Sequence, residues 1–351
     1  MLHKYNYAKL KIWIDFLTPK QLLFFEPLIK KLSKKHELLY TSRNYREVKE
    51  LAKIRKLNVV IVGRHGGGKK AGKLLANINR MKSLFKIIQK FNPELTLSFC
   101  SPDASRISFG LGIKHIAFCN SPHSEKVMRL TVPLVQKLLI PKHIPKKEFT
   151  KFGILAKNII QYNALDEYLI VKGKTFYNTI PKLHFEKKKT LLFRTHEIQA
   201  SYPSRKVDTI GIIKKMAKEF PDFNIIVLGR YYDEIKSLKR KLGKRIVILE
   251  KVVDGGEILS LCDVFVGSGG TMTSEAVLRG VPTLSYNAVP NHDEKYLVRL
   301  GMVSRAESPN KIIKVTRKLL NSDRKKLELK AKKFLDSMEN PHSKLSQVIK
   351  L

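Results

Sequence analysis

The chain has 351 residues, a length that predicts two domains, each with its own core, and excludes a peptide or a single small module. Hydrophobic residues make up 43% and charged residues 28% of it, which is typical of a soluble globular protein and too apolar for a disordered one. Sixty-eight Lys and Arg against 30 Asp and Glu leave a formal net charge of +38, which attracts nucleic acid, anionic lipid or phosphorylated metabolites.

The first half of the chain alternates short β-rich segments with longer amphipathic segments. Strands are predicted at residues 10–16, 37–41, 58–62, 94–99 and 114–118. Helices are predicted between them at residues 21–32, 45–56, 73–91 and 103–111. This βαβ order predicts a parallel sheet covered by helices.

The pattern weakens over residues 140–190, where Pro141, Pro145 and Pro181 interrupt it, and we place the domain junction there. The alternation then resumes, with strands predicted at residues 190–194, 223–228, 245–249, 263–266 and 281–284. The helices of this half are predicted at residues 206–220, 232–242, 256–261 and 271–279, followed by a Lys-rich helical tail from residue 309. The expected fold is therefore α/β, with Rossmann-like, doubly wound domains at 1–172 and 173–351 that face a cleft across their carboxyl strand ends.

The three cysteines, Cys100, Cys119 and Cys262, form no close pair and no metal-ligand spacing, which indicates reduced thiols. The N-terminal apolar segment at residues 12–14 is too short for a signal peptide, and no stretch approaches the length needed to cross a bilayer. We therefore expect a cytoplasmic protein.

The most informative segment is a glycine-rich turn at residues 267–270, between a predicted strand and a helix predicted to begin at Thr271. Backbone N–H groups and the positive end of the helix converge there, which predicts an anion site. Ser268 and Thr271 add hydroxyl donors, and Glu275, one turn into the helix, can accept two hydrogen bonds from a ribose diol. The structural alternative is a capped helix after a tight turn, with Thr271 as the cap and Ser274 in its first turn.

These residues carry a resemblance. The segments 269–276 and 279–283 resemble the donor-binding motif of glycosyltransferases with the GT-B architecture, especially the peptidoglycan N-acetylglucosaminyltransferase and the non-hydrolysing UDP-N-acetylglucosamine 2-epimerase. More closely, the chain resembles an uncharacterised conserved family of that superfamily, a domain of unknown function. The matching segments are 15–27, 101–106, 194–202 and 253–257. The resemblance implies two Rossmann-like domains and a nucleotide sugar as substrate.

The resemblance also implies roles in the second half of the chain. Where such enzymes hold the donor diphosphate, this chain has Ser268, Gly269, Gly270 and Thr271. Glu275, with Ser274 beside it, falls where they hold the nucleotide ribose. Arg194 and His196 match a His-Arg stretch near the donor phosphates of the epimerases, and a guanidinium at a strand end suits bidentate phosphate recognition. The alternative for His196 is a polar side chain satisfied in a strand-end loop.

In the first half, Asp103 follows a predicted strand at the point where the epimerases place an acid/base aspartate, and the alternative is an N-cap. Glu125 loosely matches a second epimerase acid, and His123 is, with Asp103, a candidate base for an acceptor. A third epimerase carboxylate is missing, because the chain reads Cys119-Asn120 after the fifth strand. That departure counts against epimerisation.

The peptidoglycan transferase carries a glycine-rich turn with a His after its first strand, where this chain reads Thr18-Pro19-Lys20-Gln21. Lys20, beside a Pro-led helix start, could instead hold a phosphate, and the alternative is an exposed first-turn residue.

Two further patterns bear on other chemistries. Residues 63–70 have the spacing of a P-loop, but Lys70 stands where that motif needs Ser or Thr, so we interpret the segment as a flexible cationic flap over the cleft. No two Asp stand two residues apart and no H-E-x-x-H spacing occurs, so we expect neither a metal nor any other cofactor.

Three functions follow as hypotheses. The first is a metal-independent GT-B-like glycosyltransferase with a nucleotide-sugar donor, which the resemblance implies is a UDP-sugar. The second is a sugar-nucleotide epimerase that uses Asp103, Glu125 and His196. The third is a non-catalytic basic protein that binds nucleotide or nucleic acid, although no nucleic-acid-binding motif is present.

One diphosphate needs only a few cations, so the donor site does not explain a net charge of +38. The surplus reflects either compositional bias or an acceptor on an anionic surface. We expect peripheral attachment to acidic lipid on the inner face of the membrane.

Overall fold

The computed structural model describes residues 9–173, 179–181, 189–197, 207–243, 245–286, 289 and 291–349. The chain divides into two compact units. Unit 1 comprises Met1–Leu169 and Glu339–Leu351, and unit 2 comprises Ile170–Met338. The first boundary lies three residues from the predicted one at 172/173, and the segment after residue 338 is counted with unit 1.

Unit 1 is built on a seven-stranded parallel sheet in the order β3-β2-β1-β4-β5-β6-β7. Its strands are β1 Lys11–Asp15, β2 Glu37–Asn44, β3 Val60–Arg64, β4 Leu95–Ser98, β5 Lys114–Phe118, β6 Lys137–Pro141 and β7 Ile159–Tyr162. Its helices are α1 Pro19–Leu32, α2 Arg46–Ile54, α3 Lys70–Phe91, α4 Pro102–Gly110, α5 Glu125–Arg129, α6 Lys147–Thr150 and α15 Pro341–Ile349. Helix α7, Glu167–Lys172, spans the boundary between the units.

Two helices of unit 1 begin where a hydroxyl side chain is followed by proline. Thr18 accepts a hydrogen bond from the amide of Gln21 at the start of α1, and Ser101 accepts one from Ala104 at the start of α4. The proline that follows each cap suits the first helical turn, where its missing N–H has no partner to lose. The expectation that Asp103 could cap α4 is wrong, because Ser101 is the cap and Asp103 lies inside the first turn.

Strand β6 ends in the segment 140–190, where we predicted the pattern to weaken, and strand β7 lies within it. Pro141 does not interrupt β6, because it is the last residue of the strand, opposite Tyr162 of β7. The side chains of β6 from Leu138 to its end are all buried. A strand buried on both faces has no alternation of polar and apolar residues to mark it.

Unit 2 is built on a six-stranded parallel sheet in the order β10-β9-β8-β11-β12-β13. Its strands are β8 Thr190–Arg194, β9 Asn224–Leu228, β10 Val247–Leu249, β11 Val264–Gly267, β12 Thr283–Tyr286 and β13 Ser304–Ala306. Its helices are α8 Thr209–Glu219, α9 Tyr232–Leu242, α10 Gly255–Ser260, α11 Thr271–Leu278, α12 His292–Arg299, α13 Pro309–Leu320 and α14 Arg324–Asp336.

The core of unit 2 has two layers because helices cover both faces of its sheet. One layer packs Leu191 and Phe193 of β8 against α8 and α13, and the other packs Leu192 and Phe265 against α10 and α11. Neighbouring residues of β8 therefore point into different layers, as the two-residue period of a strand requires. The prediction of parallel α/β sheets is confirmed in both units.

The order of strands reverses once in each sheet. In unit 1, β1 lies between β2 and β4, and the reversal falls between β1 and β4. In unit 2, the reversal falls between β8 and β11. Open parallel sheets bind ligands outside the carboxyl ends of the strands at such switch points, so these two positions locate the candidate sites.

Candidate functional site

The glycine-rich turn of unit 2 lies at its switch point. Val266 of β11 is paired with Phe193 of β8, so the carboxyl ends of these two strands lie side by side. Beyond them, Gly269 and Gly270 have φ angles of +79° and +81°, which L side chains rarely adopt. A Cβ on Gly270 would meet no atom within 4 Å, so its backbone conformation, and not crowding, requires glycine there.

Helix α11 begins directly after this turn. Gly270 is its N-cap and Thr271 is its first helical residue, so the expectation of Thr271 as the cap is wrong. Within the described part of the chain, no side chain caps the first turn of α11. The side-chain caps on other helices of unit 2 are Asp208, Asp254, Asn291, Ser308 and Asp323. The amide of Thr273 already donates to the carbonyl of Gly270 at 3.1 Å, so the first-turn amides left to meet an anion at the switch point are those of Thr271 and Met272.

Arg194 ends β8, next to the glycine turn. Its Nη1 atom donates to the carbonyl oxygen of Gly229 at 2.9 Å, and its own carbonyl accepts from the hydroxyl of Tyr286 at 3.2 Å. The half-buried guanidinium is thus held at the carboxyl edge of the sheet by the backbone after β9. This fixes a permanent positive charge at the carboxyl edge of the sheet, on the β9 side of β8.

A second arginine, Arg230, lies at the same edge and was missed by the sequence reasoning. Its Nε atom donates to the carbonyl of Thr195 at 3.1 Å, and its Nη1 atom lies 3.9 Å from a carboxylate oxygen of Glu197. The hydroxyl of Tyr231 donates to the other carboxylate oxygen at 2.5 Å. The signal was present, because Arg230 follows the predicted strand 223–228 just as Arg194 ends its own strand.

His196 lies two residues beyond β8. Its Nδ1 atom is 3.0 Å from the hydroxyl of Thr209, the first residue of α8. Burial lowers the pKa of His196 below its ordinary value, against the opposing effect of Glu234. The imidazole is therefore neutral at pH 7 and can accept or donate one hydrogen bond.

Glu275 and Ser274 are buried, with 3% and 4% of their surfaces exposed. The Oε2 atom of Glu275 would lie 3.3 Å from a Cβ on Gly255, and the guanidinium of Arg279 would lie within 3 Å of one on Gly256. The start of α10 and the side of α11 therefore pack closely, and the two glycines make room for the charged side chains. Glu275, the residue predicted to hold the ribose, is therefore buried at the contact between α10 and α11.

The switch point of unit 1 holds a buried ion-pair network. Asp15 ends β1 between Thr41 and Ser98 of the neighbouring strands. The guanidinium of Arg80, on α3, pairs with Asp15 at 2.6 Å and with Asp103 of α4. Hydroxyl groups complete the shell of Asp15, because Thr41 and Ser101 each donate to it at 2.6 Å.

This environment determines the protonation of the network. Burial alone would lower the pKa of Arg80, but Asp15 and Asp103 raise it above its ordinary value, so the guanidinium stays charged. Burial raises the pKa of Asp103, and Arg80 opposes that effect. Asp103 is only 4% exposed, and Asn77 also donates to its carboxylate. Asp103, the predicted acid/base residue, is therefore held by Arg80 and Asn77 inside unit 1.

Lys20 also lies in a buried setting, and the expectation of an exposed first-turn residue is wrong. Its Nζ atom is 2.8 Å from Asp166 and 3.2 Å from Glu167, and its side chain is 14% exposed. The ammonium group also lies 5.2 Å from the centre of the Phe99 ring. The carboxylates of Asp166 and Glu167, which follow β7, thus neutralise Lys20, the cation that we predicted to hold a phosphate.

Glu125 and His123 lie on the segment after β5. Glu125 opens the short helix α5, where its exposed carboxylate pairs with Arg129 one turn later at 2.8 Å. His123 is half-buried. The contacts of Asp103 are instead with Arg80 and α3. The structure therefore does not bring the two predicted epimerase carboxylates into one cluster.

The segment with P-loop spacing leads into α3, with Lys69 as its N-cap. The amide of Gly67 donates to Nδ1 of His65 at 3.2 Å, and a Cβ on Gly66 would lie 2.4 Å from the carbonyl oxygen of Gly72. The glycine at position 66 is required by this close approach, whatever the segment binds.

Among the described residues, no group of three or more His, Cys, Asp or Glu side chains could hold a metal ion. Over the same residues, no helix is both long and apolar enough to cross a membrane. The three cysteines are buried and free.

Comparison with known proteins places this geometry among GT-B folds. A family model described as "Protein of unknown function (DUF354)" matches residues 10–341. The uncharacterized protein MJ0665 of Methanocaldococcus jannaschii is 27% identical over 314 residues, which cover 87% of this chain and 90% of that protein.

Solved structures of similar fold cover nearly the whole chain. UDP-GlcNAc 2-epimerase from Neisseria meningitidis, bound to UDP-GlcNAc, matches with a TM-score of 0.73 and 16% identity over 97% of this chain and all of that one. UDP-GlcNAc 2-epimerase from M. jannaschii matches at 0.66 and 18% identity over 94% and 95% of the two chains. The glycosyltransferase SsfS6 of Streptomyces sp. SF2575 matches at 0.62 and 12% identity over 97% and 100%. The fold is therefore that of GT-B glycosyltransferases and epimerases.

Proposed function

We propose that this chain, which belongs to the DUF354 family, is a metal-independent glycosyltransferase that takes its sugar from a nucleotide sugar. The donor is a UDP-sugar, and its diphosphate binds at the carboxyl edge of the unit 2 sheet. The proposal is supported by the UDP-sugar bound in structures of the same fold and by the geometry of the glycine turn.

The observation that carries the proposal is the start of α11. Gly269 and Gly270 adopt positive φ angles at the switch point, and the first turn of the helix that follows has no side-chain cap among the described residues. Glycine lets a diphosphate approach the backbone closely, and the helix end supplies amide donors and a partial positive charge. Ser268 and Thr271 add hydroxyl groups at the same place.

Arg194 supplies the full charge that backbone amides lack. When the bond between the sugar and the diphosphate breaks, negative charge develops on the departing diphosphate. A guanidinium held in place by Gly229 at the carboxyl edge of the same sheet stabilises that charge without first having to reorganise. These groups do what a metal ion does in metal-dependent transferases.

The ribose is proposed to bind at Glu275. Its Oε2 atom faces Gly255, and a side chain at that position would lie within 3.3 Å of the carboxylate. The glycine therefore lets the start of α10 pack against the carboxylate of Glu275, which fixes the position of the acceptor that we propose for the vicinal diol.

The carboxylates of unit 1 favour transfer over epimerisation. Epimerisation at a sugar carbon requires an acid and a base on opposite faces of one ring. Asp103 is held by Arg80 inside unit 1, whereas Glu125 lies exposed beside Arg129. The choice of Asp103 or His123 as the base that deprotonates an acceptor stays a prediction.

Two measurements test the proposal. A thermal-shift screen of UDP, GDP, ADP and their sugars should show the largest stabilisation with UDP species, and a flat screen would favour the non-catalytic alternative. The protein should then be incubated with UDP-GlcNAc alone and the products separated by chromatography. A transferase leaves the donor largely intact without an acceptor, whereas a new epimer would identify an epimerase.

A further inference from the structure

Helix α3 exposes apolar side chains on the side that faces away from the sheet. Leu74, Leu75, Ile78 and Phe85, which we call the α3 outer face, are 61%, 55%, 48% and 42% exposed. At about 100° per residue, Leu74, Ile78 and Phe85 lie within about 40° of one another round the helix axis. A cluster of large apolar side chains on one exposed helix face marks an interaction surface more often than scattered exposure does.

The charge of α3 is entirely positive. Its 22 residues contain no Asp or Glu and carry lysines at positions 70, 73, 82, 86 and 90. Arg80 is the remaining cation, and it is buried against Asp15 and Asp103. By helical spacing, Lys82 lies one turn after Ile78 and Lys86 one turn after Lys82, so apolar and cationic groups share the outer face.

Two contacts with β1, one at each end of that strand, locate α3 along the sheet. Phe91, at its end, lies 5.7 Å below the ammonium of Lys11, the first residue of β1, whereas Arg80 contacts Asp15, the last residue of that strand. The ten residues before Arg80 therefore extend about 15 Å past the carboxyl edge of the sheet. Leu74, Leu75 and Ile78 lie on this projecting part.

We propose that the α3 outer face docks unit 1 on an anionic lipid bilayer. A bilayer with acidic headgroups offers a layer of negative charge for the lysines and an apolar region directly beneath it for the leucine, isoleucine and phenylalanine side chains. A nucleic acid offers phosphates but no apolar layer for these four side chains. A second copy of the chain carries the same net charge of +38, so charge does not favour self-association at this face.

Docking has a defined geometry. The apolar side chains enter the boundary between headgroups and acyl chains, while the lysine ammonium groups stay at the level of the headgroups on their flexible stems. Because the projecting part of α3 is the part that enters the bilayer, the carboxyl edge of the unit 1 sheet comes close to the membrane surface. The docking face lies in unit 1 and does not depend on the nucleotide site proposed in unit 2, so each can fail without the other.

The first arm of the test removes the apolar groups. The full chain is sedimented with vesicles of roughly 70% phosphatidylcholine and 30% phosphatidylserine, and with vesicles of phosphatidylcholine alone. We expect Leu74→Gln/Ile78→Gln to lower the partition coefficient about tenfold or more on the acidic vesicles. The matched control is Leu155→Gln/Leu329→Gln, which removes two leucines that are each 60% exposed elsewhere, and it should bind as the wild type does.

The second arm removes charge. Lys82→Gln/Lys86→Gln should lower binding to the acidic vesicles roughly tenfold, whereas Lys325→Gln/Lys326→Gln, at an exposed site in unit 2, should leave it within about twofold. All four variants change exposed residues, so their melting temperatures and their thermal shifts with UDP should match the wild type. Those readouts separate a folding defect or a failed nucleotide site from a failure of docking.

Several results would overturn the proposal. These are a wild-type protein that does not sediment with acidic vesicles at low salt, equal binding to uncharged vesicles, and equal losses in the α3 and control pairs. Protection of the α3 outer face by self-association would also overturn it, and light scattering on the wild type and Leu74→Gln/Ile78→Gln detects that. So would RNA binding that falls in the α3 variants while vesicle binding does not.

Discussion

The guanidinium of Arg80 lies 2.6 Å from the carboxylate of Asp15, in an ion pair that ties the middle of α3 to the carboxyl end of β1. Neither side chain is more than 2% exposed. Arg80 also donates to the carbonyl of Val62, so one side chain joins β1, β3 and, through Asp103, α4. The switch point of unit 1 is therefore closed by a charged group, in a place where open α/β sheets ordinarily admit a ligand.

Removing Arg80 should strongly destabilise the protein. Arg80→Ala leaves Asp15 and Asp103 buried without their shared cation, and we expect a loss of about 3–5 kcal/mol in the free energy of unfolding. Urea unfolding followed by circular dichroism measures it. Arg64→Ala, at an exposed position at the end of β3, is the control and should cost less than about 0.5 kcal/mol. A loss at Arg80 no larger than that of the control would show that the network does not stabilise the fold.

The conformation of the glycine turn gives a second prediction. Gly270→Ala places a side chain at φ +81° and ψ −163°, which costs about 1–3 kcal/mol of stability or shifts the turn, and we expect at least a tenfold loss of UDP affinity by calorimetry. Gly243→Ala is closely matched, because Gly243 has φ +70° and ψ 175° and an open surrounding in the same unit. The control should lose similar stability and keep its UDP affinity. If both variants bind UDP equally, the turn is not the diphosphate site.

Arg194 should contribute to nucleotide affinity through its charge and its planar shape. We expect Arg194→Ala to weaken UDP binding about 10–100-fold, because a hydrogen bond to a charged group contributes about 1.5–3 kcal/mol. Arg194→Lys should restore only part of the loss, since an ammonium group cannot make the bidentate contact. Arg317→Ala, an exposed arginine of α13, should bind normally. Unchanged affinity in Arg194→Ala would remove this residue from the proposed site.

Lys20 distinguishes a structural cation from a phosphate-binding one. Because Lys20 neutralises Asp166 and Glu167, Lys20→Met should cost about 3 kcal/mol of stability and leave UDP affinity unchanged. Adding Asp166→Asn should recover part of that stability, since it removes one of the two carboxylates left without a partner. A large loss of nucleotide affinity with little loss of stability would instead support the phosphate-binding role that the sequence suggested.

The buried histidines predict how stability depends on pH. Burial lowers the pKa of His115 and of His342 to about 3, so both are neutral in the folded protein, whereas in the unfolded chain each takes up a proton near pH 6.5. The unfolded state therefore binds more protons between pH 3 and 6.5, and stability is present above pH 6.5 and falls as the pH drops below it. Each histidine should cost about 1 kcal/mol between pH 6.5 and 5.5.

Urea unfolding at pH 7.5, 6.5 and 5.5 measures this dependence. His115→Gln cannot take up a proton, so its free energy of unfolding should fall less steeply with acid than that of the wild type. The amide can still bond to Ser98, which now lies 2.9 Å from the imidazole. Parallel pH profiles for the two proteins would contradict the prediction.

Much of the fold could be predicted because its signals are local. The predicted strands 114–118 and 190–194 agree with β5 and β8, and the predicted helix 232–242 agrees with α9. The three-residue strand β13 was not predicted, because Ser304 and Arg305 are only half-buried and give no apolar run.

The candidate sites likewise contain a part that local sequence predicts and a part that depends on distant residues. The glycine turn could be predicted because its signal lies in a few consecutive residues, and the strand before it and the helix after it were also predicted. The pairing of Asp15 with Arg80 joins positions 65 residues apart, and Lys20 meets Asp166 across 146 residues. In a chain with 68 Lys and Arg, no pattern indicates which cation will be buried, so these pairs could not be predicted.

The segment that completes unit 1 has a consequence for the order of folding. Glu339 bonds to the backbone of Asn163, and the ring of His342 packs edge-on against Phe24 at 5.0 Å, yet all of unit 2 separates this segment from the rest of unit 1. During synthesis the ribosome releases residues 170–338 before it releases the segment that seals the core around Phe24. Unit 2 can therefore complete its fold on the ribosome before unit 1 does.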